Sequence, residues 1–185
     1  SWLGYPATTG MDAMDYILVD KYYAPDSSMA AFCSEKLAYL ESYRALQPTP
    51  EMDLPVSPLP MLERGYVTFG SFNSFVKISQ QVLSLWAEIL QQIDNSRLVM
   101  IVHANESVDF VKSYFAERGI SEERLTLFTK LRYDQFLKLH QQVDIALDTY
   151  PFTGMTTSIN GLWMGVPMIT QVGERMLSRS GLSLL

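Results

Sequence analysis

Two short segments combine side chains and backbone chemistry suited to a phosphate group. The first, Gly70-Ser-Phe-Asn-Ser-Phe-Val-Lys77, carries a glycine, several polar groups and a single lysine just before a candidate helix cap at Ser79. A lysine so placed can neutralise a phosphate, since unit charges about 4 Å apart interact by roughly 4 kcal/mol at an effective dielectric of 20. The alternative is a solvated surface lysine. The second segment, Asp148-Thr-Tyr-Pro-Phe-Thr-Gly-Met-Thr-Thr-Ser158, precedes a helix running through Leu162 and Trp163. Unpaired amides at a helix start, the hydroxyls of Thr156 and Thr157, and a helix dipole of about half a positive charge make a diphosphate site without any lysine. The alternative here is that Thr156 or Thr157 caps its own helix.

Other chemistries lack their residues. There is no G-x-G-x-x-G and no Walker lysine loop, which withdraws support from dinucleotide oxidoreductases and P-loop enzymes. The one cysteine, Cys33, cannot form an internal disulfide, and with His103 and His140 it matches no familiar zinc spacing, so no metal is expected. His103 follows a strand and can line a cleft or serve structure; His140 lies within a helix, at the surface or in packing. The ten methionines are scattered as core filling. A net charge of −6 without a lysine or arginine cluster argues against a nucleic-acid partner. The longest aliphatic runs, such as 98–102, fall far short of the roughly 20 residues a bilayer-spanning helix needs, so no membrane partner is expected. Ser1-Trp-Leu-Gly-Tyr-Pro6 lacks the pattern of a signal peptide, and with the lone cysteine this points to a reducing, cytoplasmic setting.

The elements that must hold these segments follow from periodicity. Forty-eight percent apolar residues in 185 suffice for a core. Five of the nine prolines fall between Pro48 and Pro60, where fixed φ angles and missing amide donors exclude a regular helix or central strand. Before that boundary, Tyr16 to Val19 reads as a strand and Met29 to Tyr43 as a helix. After it, Tyr66 to Gly70 reads as a strand, and Ser79 caps a helix with apolar positions Val82, Leu85, Trp86, Ile89, Leu90 and Ile93. Strand 97–102 precedes helix 107–118 with Gly119 beyond it; strand 125–128, helix 134–142, strand 144–148, helix 156–164 and strand 167–170 follow. Continuous apolar strands alternating with helices mean a parallel sheet covered on both faces, an α/β Rossmann-like domain. In such a sheet, ligands sit beyond the carboxyl ends of the strands, where both phosphate-suited segments begin. The final Gly-Leu-Ser-Leu-Leu185 reads as a helix start, which leads us to expect a fragment of a longer protein.

The segments 1–10, Met14-Asp-Tyr-Ile17, Ser34-Glu-Lys-Leu37, Thr68-Phe-Gly-Ser-Phe-Asn73 with Lys77, Leu147-Asp-Thr149, Gly154-x-Thr-Thr157, Leu162-Trp-Met-Gly-Val-Pro167 and Ser178-Arg179 occur in this order. Together they resemble the catalytic region of the O-linked N-acetylglucosamine transferases, more closely their bacterial tetratricopeptide-repeat-containing and plant Spindly-like relatives. The resemblance implies a GT-B-type glycosyltransferase: residues 1–47 as the end of the N-terminal catalytic domain, 48–64 as a Pro-rich linker, and 65–185 as a truncated C-terminal donor-binding domain. The family's tetratricopeptide superhelix, the start of its N-terminal catalytic domain and its closing helical segment have no counterpart here.

By position, the resemblance implies that Lys77 contacts the donor's diphosphate and helps the nucleotide leave, and that Thr156 and Thr157 grip the same phosphates with Gly154 and Met155 beside them. Ser74 stands in place of a longer polar side chain near the phosphates. Asn160 takes the place of a ribose-binding aspartate of animal members, Phe136 that of a histidine near the nucleoside with Tyr133 beside it, and Met155 that of another animal-member histidine. Leu3 and Gly4 match a segment whose backbone lies against the sugar. The implied reaction is inverting, metal-independent transfer of N-acetylglucosamine from UDP-N-acetylglucosamine to protein Ser/Thr hydroxyls, with a UDP-sugar co-substrate and a protein or peptide acceptor as partners. Two alternatives stay open: another donor sugar such as glucose or fucose, or a non-catalytic nucleotide-binding or interaction module.

Overall fold

Apolar runs alternate with amphipathic segments after residue 65, and the chain folds accordingly. The computed structural model describes residues 6–42 and 46–185. Five strands, β3 (Thr68–Ser71), β4 (Arg97–Ile101), β5 (Leu125–Phe128), β6 (Ile145–Leu147) and β7 (Met168–Ile169), form one all-parallel sheet in the spatial order β5-β4-β3-β6-β7. Chain order runs outward from β3 to β5, then resumes on the other side with β6, so the winding direction reverses between β3 and β6. Ligand clefts of doubly wound sheets open at such a reversal.

Strand alternation sends successive residues to opposite faces. On one face Leu98, Met100 and Phe69 pack with Trp86 and Leu90 of α2 (Gln80–Gln92) and Phe115 of α3 (Asn105–Ala116). On the other, Val99 and Phe72 pack with Leu139 of α4 (Tyr133–His140), Val143 and Val166. Ser79 caps α2 as expected, its Oγ accepting from the Val82 amide at 3.3 Å. The buried stripe of α2 is rotated from the expected one: Leu83 and Ala87 are buried, whereas Leu85 and Ile93 are 49% and 40% exposed. The helix leans on β3, β4 and α3, which leaves Leu85 and Ile89 lining a cleft of about 290 Å³ beside Ile169 of edge strand β7.

The segment before the prolines differs from expectation. Where a helix over 29–43 was expected, a short 3-10 turn (Ser27–Phe32) gives way to strand β2 (Lys36–Tyr39), which pairs in parallel with β1 (Tyr16–Val19). Glu35 interrupts any helix: its buried carboxylate accepts from the Thr8 and Thr9 hydroxyls and the Thr9 amide at 2.6 to 2.8 Å, holding the chain extended at the entry to β2. Those hydrogen bonds outweigh desolvation and hold its pKa well below the usual carboxylate range. Ile17, Val19, Tyr23 and Ala24 share a small core with Met176, so this segment packs on the far end of the chain.

The proline-rich stretch forms no regular element beyond a turn at Pro50–Met52 and a single helical turn, α1 (Met61–Arg64), past the last proline. It lies against the helices: Met52 is buried with Leu137 and Met164, and the Trp163 indole donates to the Met52 carbonyl at 3.1 Å. Asp144 fixes its end by accepting from the amides of Met61 and Thr68, both at 2.8 Å. No helix among the described residues is long and apolar enough to cross a membrane.

Candidate functional site

The loops leaving β3 and β6 meet at the point where the winding reverses. After β3 the chain makes one 3-10 turn, Phe75–Lys77, opened by Ser74. Lys77 is half-buried, and its Nζ donates to the Thr153 carbonyl at 3.2 Å and sits 3.9 Å from the Phe152 ring centroid, over the ring face. It is no solvated surface lysine. Burial pushes its ammonium below the ordinary lysine value, with the Asp148 carboxylate pulling the other way.

Asp148, at the exit of β6, organises the second loop. Its Oδ1 accepts from the amides of Thr149 at 2.8 Å and Gly154 at 2.7 Å and from Asn73 Nδ2 at 3.1 Å, and its Oδ2 from Thr170 Oγ1 at 2.7 Å. Bonds to an ionised acceptor are about twice as strong as neutral ones. They tie the β3 loop, through Asn73, to the β6 loop, and they engage the carboxylate with the protein's own donors. Thr153 is fully buried; its amide and hydroxyl both donate to the Leu177 carbonyl at 3.1 and 3.0 Å, and its Oγ1 accepts from the Ser180 amide at 3.2 Å. The carbonyl that receives Lys77 is thereby held by the turn at Met176–Ser178 and the start of α6 (Ser180–Leu184).

Helix α5 (Thr156–Trp163) starts directly after this loop, with Met155 at its N-cap and no side chain capping it. Neither Thr156 nor Thr157 is spent on capping. Thr156 is exposed and Thr157 half-buried. Asn73, Asp148, Thr157 and Ser158 border a small cavity of about 20 Å³ that extends beneath α5 to His140 and Val166. Gly154 has no room for a side chain, because a Cβ there would run into Ser158 Oγ and lie 2.7 Å from Asn73 Oδ1.

One turn further along α5, Asn160 is buried and its Oδ1 accepts from the Tyr133 hydroxyl at 3.3 Å. Tyr133 and Phe136 stack with ring centroids 6.1 Å apart and planes 17° apart, forming an aromatic shelf at the start of α4. Behind it, His140 is buried, 4.7 Å from Phe72 and 4.8 Å from Phe136 between ring centroids, and burial pushes its pKa down to about 4. His140 is therefore a packing residue. Among the described residues, no three His, Cys, Asp or Glu side chains gather into a group able to hold a metal ion.

Of the residues singled out from sequence, Lys77 reaches the loop at Thr153, directly ahead of Gly154, Met155 and the start of α5 at Thr156 and Thr157, while Asn160 of α5 meets Tyr133 of α4, on which Phe136 stacks. Ser74 is exposed, and its Oγ lies 2.9 Å from His103 Nε2. Leu3 and Gly4 lie outside the described residues. Sequence reasoning missed Asn73, Asp148 and Thr153. The pairing of an acidic strand exit with a glycine six residues on was the available signal for Asp148; the Thr153 latch depends on residues more than twenty positions away and left none.

A profile of Glycosyl transferase family 41 matches residues 1–46 and 60–185. The chain is 36% identical over 190 residues to a rice (Oryza sativa subsp. japonica) protein named as a probable UDP-N-acetylglucosamine--peptide N-acetylglucosaminyltransferase SPINDLY. It is 37% identical over 191 residues to the protein of the same name from Petunia hybrida. Both alignments cover 100% of this chain and 20% of the relative, so the chain spans about a fifth of the length of the curated relatives it matches. Among solved structures, a mutant O-GlcNAc transferase of Thermobaculum terrenum superposes with a TM-score of 0.88 at 33% identity, over 100% of this chain and 35% of that one. The α/β architecture, Rossmann-like and of the GT-B type, is thus shared with a glycosyltransferase along the entire chain. With the match running through both strand-exit loops and the helix they flank, the chain belongs to glycosyl transferase family 41.

Proposed function

We propose that this chain is the donor-binding part of an inverting, metal-independent transferase that moves N-acetylglucosamine from UDP-N-acetylglucosamine to serine or threonine hydroxyls of proteins. The observation that carries the reading is the convergence of Lys77 on the loop that opens α5, its Nζ 3.2 Å from the Thr153 carbonyl, ahead of a helix start without a side-chain cap. An acceptor hydroxyl attacks the anomeric carbon, the bond from that carbon to the diphosphate breaks, and negative charge grows on the departing nucleotide. A cation and oriented amides fixed beforehand at that charge stabilise the transition state more than the ground state. In this reading Lys77, Thr156 and Thr157 hold the diphosphate, with Ser74, Gly154 and Met155 beside them. Asn160 faces the ribose, and the shelf of Tyr133 and Phe136 faces the nucleoside. The protein supplies the positive charge a metal ion provides elsewhere.

Residues 1–47 serve as the end of the N-terminal catalytic domain, 48–64 as the linker and 65–185 as the donor domain. A groove of about 830 Å³ between Pro6, Phe32, Arg175 and Arg179 adjoins Leu177, on which the Thr153 loop is latched, and offers room for an extended peptide acceptor. The half-buried lone thiol of Cys33 fits a reducing, cytoplasmic setting.

Lys77→Ala in the intact protein is expected to lower turnover by roughly 10²-fold or more, the scale of losing one preorganised electrostatic contact. Wild-type turnover in a donor-hydrolysis and peptide-transfer assay would refute the assignment. By the resemblance, Met155, Phe136 and Asn160 stand where other members carry two histidines and an aspartate, so donor choice is tested with the same assay on a panel of nucleotide sugars, glucose and fucose donors among them.

A further inference from the structure

His103 and Ser74 lie 29 residues apart, just beyond the ends of the adjacent, paired strands β4 and β3, yet Ser74 Oγ and His103 Nε2 are 2.9 Å apart. Ser74 opens the turn that ends on Lys77, whose amide donates to the Ser74 carbonyl at 2.9 Å. Both side chains are exposed at the carboxyl edge of the sheet. Among the described residues Ser74 is the hydrogen-bond partner of the His103 ring, and Nδ1 has none.

This pairing retains one donor in either tautomer. If the Ser74 hydroxyl donates to Nε2, the ring proton sits on Nδ1 and is available; if Nε2–H donates to Ser74 Oγ, the hydroxyl hydrogen is available instead. A unit that always offers a donor, on the turn that carries Lys77, is matched to an anion.

We propose that His103 and Ser74 act as one unit that binds the donor's diphosphate beside Lys77, extending the polar surface from the β3 exit to the β4 exit. The inference rests on the donor reading above. His103 is then a donor-binding residue that neither composition nor motif assigned.

The test is isothermal titration of the intact protein with UDP and, separately, with uridine, which lacks the phosphates. His103→Ala and Ser74→Ala are each expected to weaken UDP binding roughly 10-fold, the scale of one hydrogen bond to a charged group. The double variant should lose little more than either single one, because the two side chains work as a pair. Uridine affinity should stay within about twofold, and His103→Gln, which keeps a donor, should recover most of the UDP affinity. The inference is overturned if His103→Ala binds UDP like the wild type while Lys77→Ala does not. Equal weakening toward UDP and uridine overturns it too, by pointing to a structural role. If Lys77→Ala and His103→Ala both leave UDP binding intact, the donor reading itself fails, and the inference with it.

Discussion

A methyl group at position 154 separates the two strand-exit loops from inside. The Cβ of Gly154→Ala would collide with Ser158 Oγ and lie 2.7 and 2.8 Å from Asn73 Oδ1 and Nδ2, well inside van der Waals contact. Neither neighbour can swing into solvent, since Asn73 and Ser158 are both buried. Displacing Asn73 breaks its bond to Asp148 Oδ1, the same oxygen that receives the Gly154 amide. Overpacking costs about 1–3 kcal/mol, and a hydrogen bond to a carboxylate contributes about 1.5–3 kcal/mol. These overlap, because relief of one is loss of the other, so a destabilisation on the order of 3 kcal/mol is expected, roughly 10 °C in melting temperature for a domain of this size. UDP affinity measured well below the melt should also fall, since the loop opening α5 no longer registers with Lys77. Ser158→Gly added to Gly154→Ala removes one of the two collisions and should recover part of both losses. A variant that melts within about 1 °C of the wild type and binds UDP equally well would refute the idea that the loops form one cradle.

Two further outcomes follow from the buried groups. Thr153→Val keeps the volume but deletes the Oγ1 bonds to Leu177 and Ser180; turnover should fall roughly tenfold with a smaller change in donor KM, and Thr153→Ser should restore it, whereas wild-type kinetics in the valine variant would show that the latch does not position Lys77. His140 titrates near 4 when folded against an ordinary value of 6.5, so the unfolded chain binds more protons between those limits. Stability is therefore complete above about pH 6.5 and drains away as pH falls through about 4, by roughly 3 kcal/mol in all. His140→Gln should flatten that dependence in urea midpoints taken at pH 7.5 and 4.5, and an unchanged slope would contradict it.

The sheet was legible because each of its strands after residue 65 is a short apolar run, and the run-helix-run rhythm admits few arrangements. The carboxyl ends of the strands mark the loops to look at, whereas the reversal of winding between β3 and β6 shows only in the strand order of the folded sheet. Residues 29–43 resisted the same treatment. Their apolar stripe fits a helix, and the strand at Lys36–Tyr39 is decided by pairing with Tyr16–Val19 and by Glu35 locking onto Thr8 and Thr9, contacts some twenty or more positions away. In the site, lysine and threonines stood out because charge and hydroxyls suit phosphate. Asp148 did not, since an acid beside an anion site reads as repulsive until its four donors are seen. The partnership of Ser74 with His103 arises only when two strands align.

Residues 47–59 fall outside the family profile, yet Met52, within them, is buried against Leu137 and Met164 while its carbonyl anchors Trp163 at the far end of α5. That contact demands bulk and a main-chain acceptor, not a particular side-chain chemistry. A substitution at Met52 therefore changes the support under the carboxyl end of the helix that Thr156 and Thr157 begin.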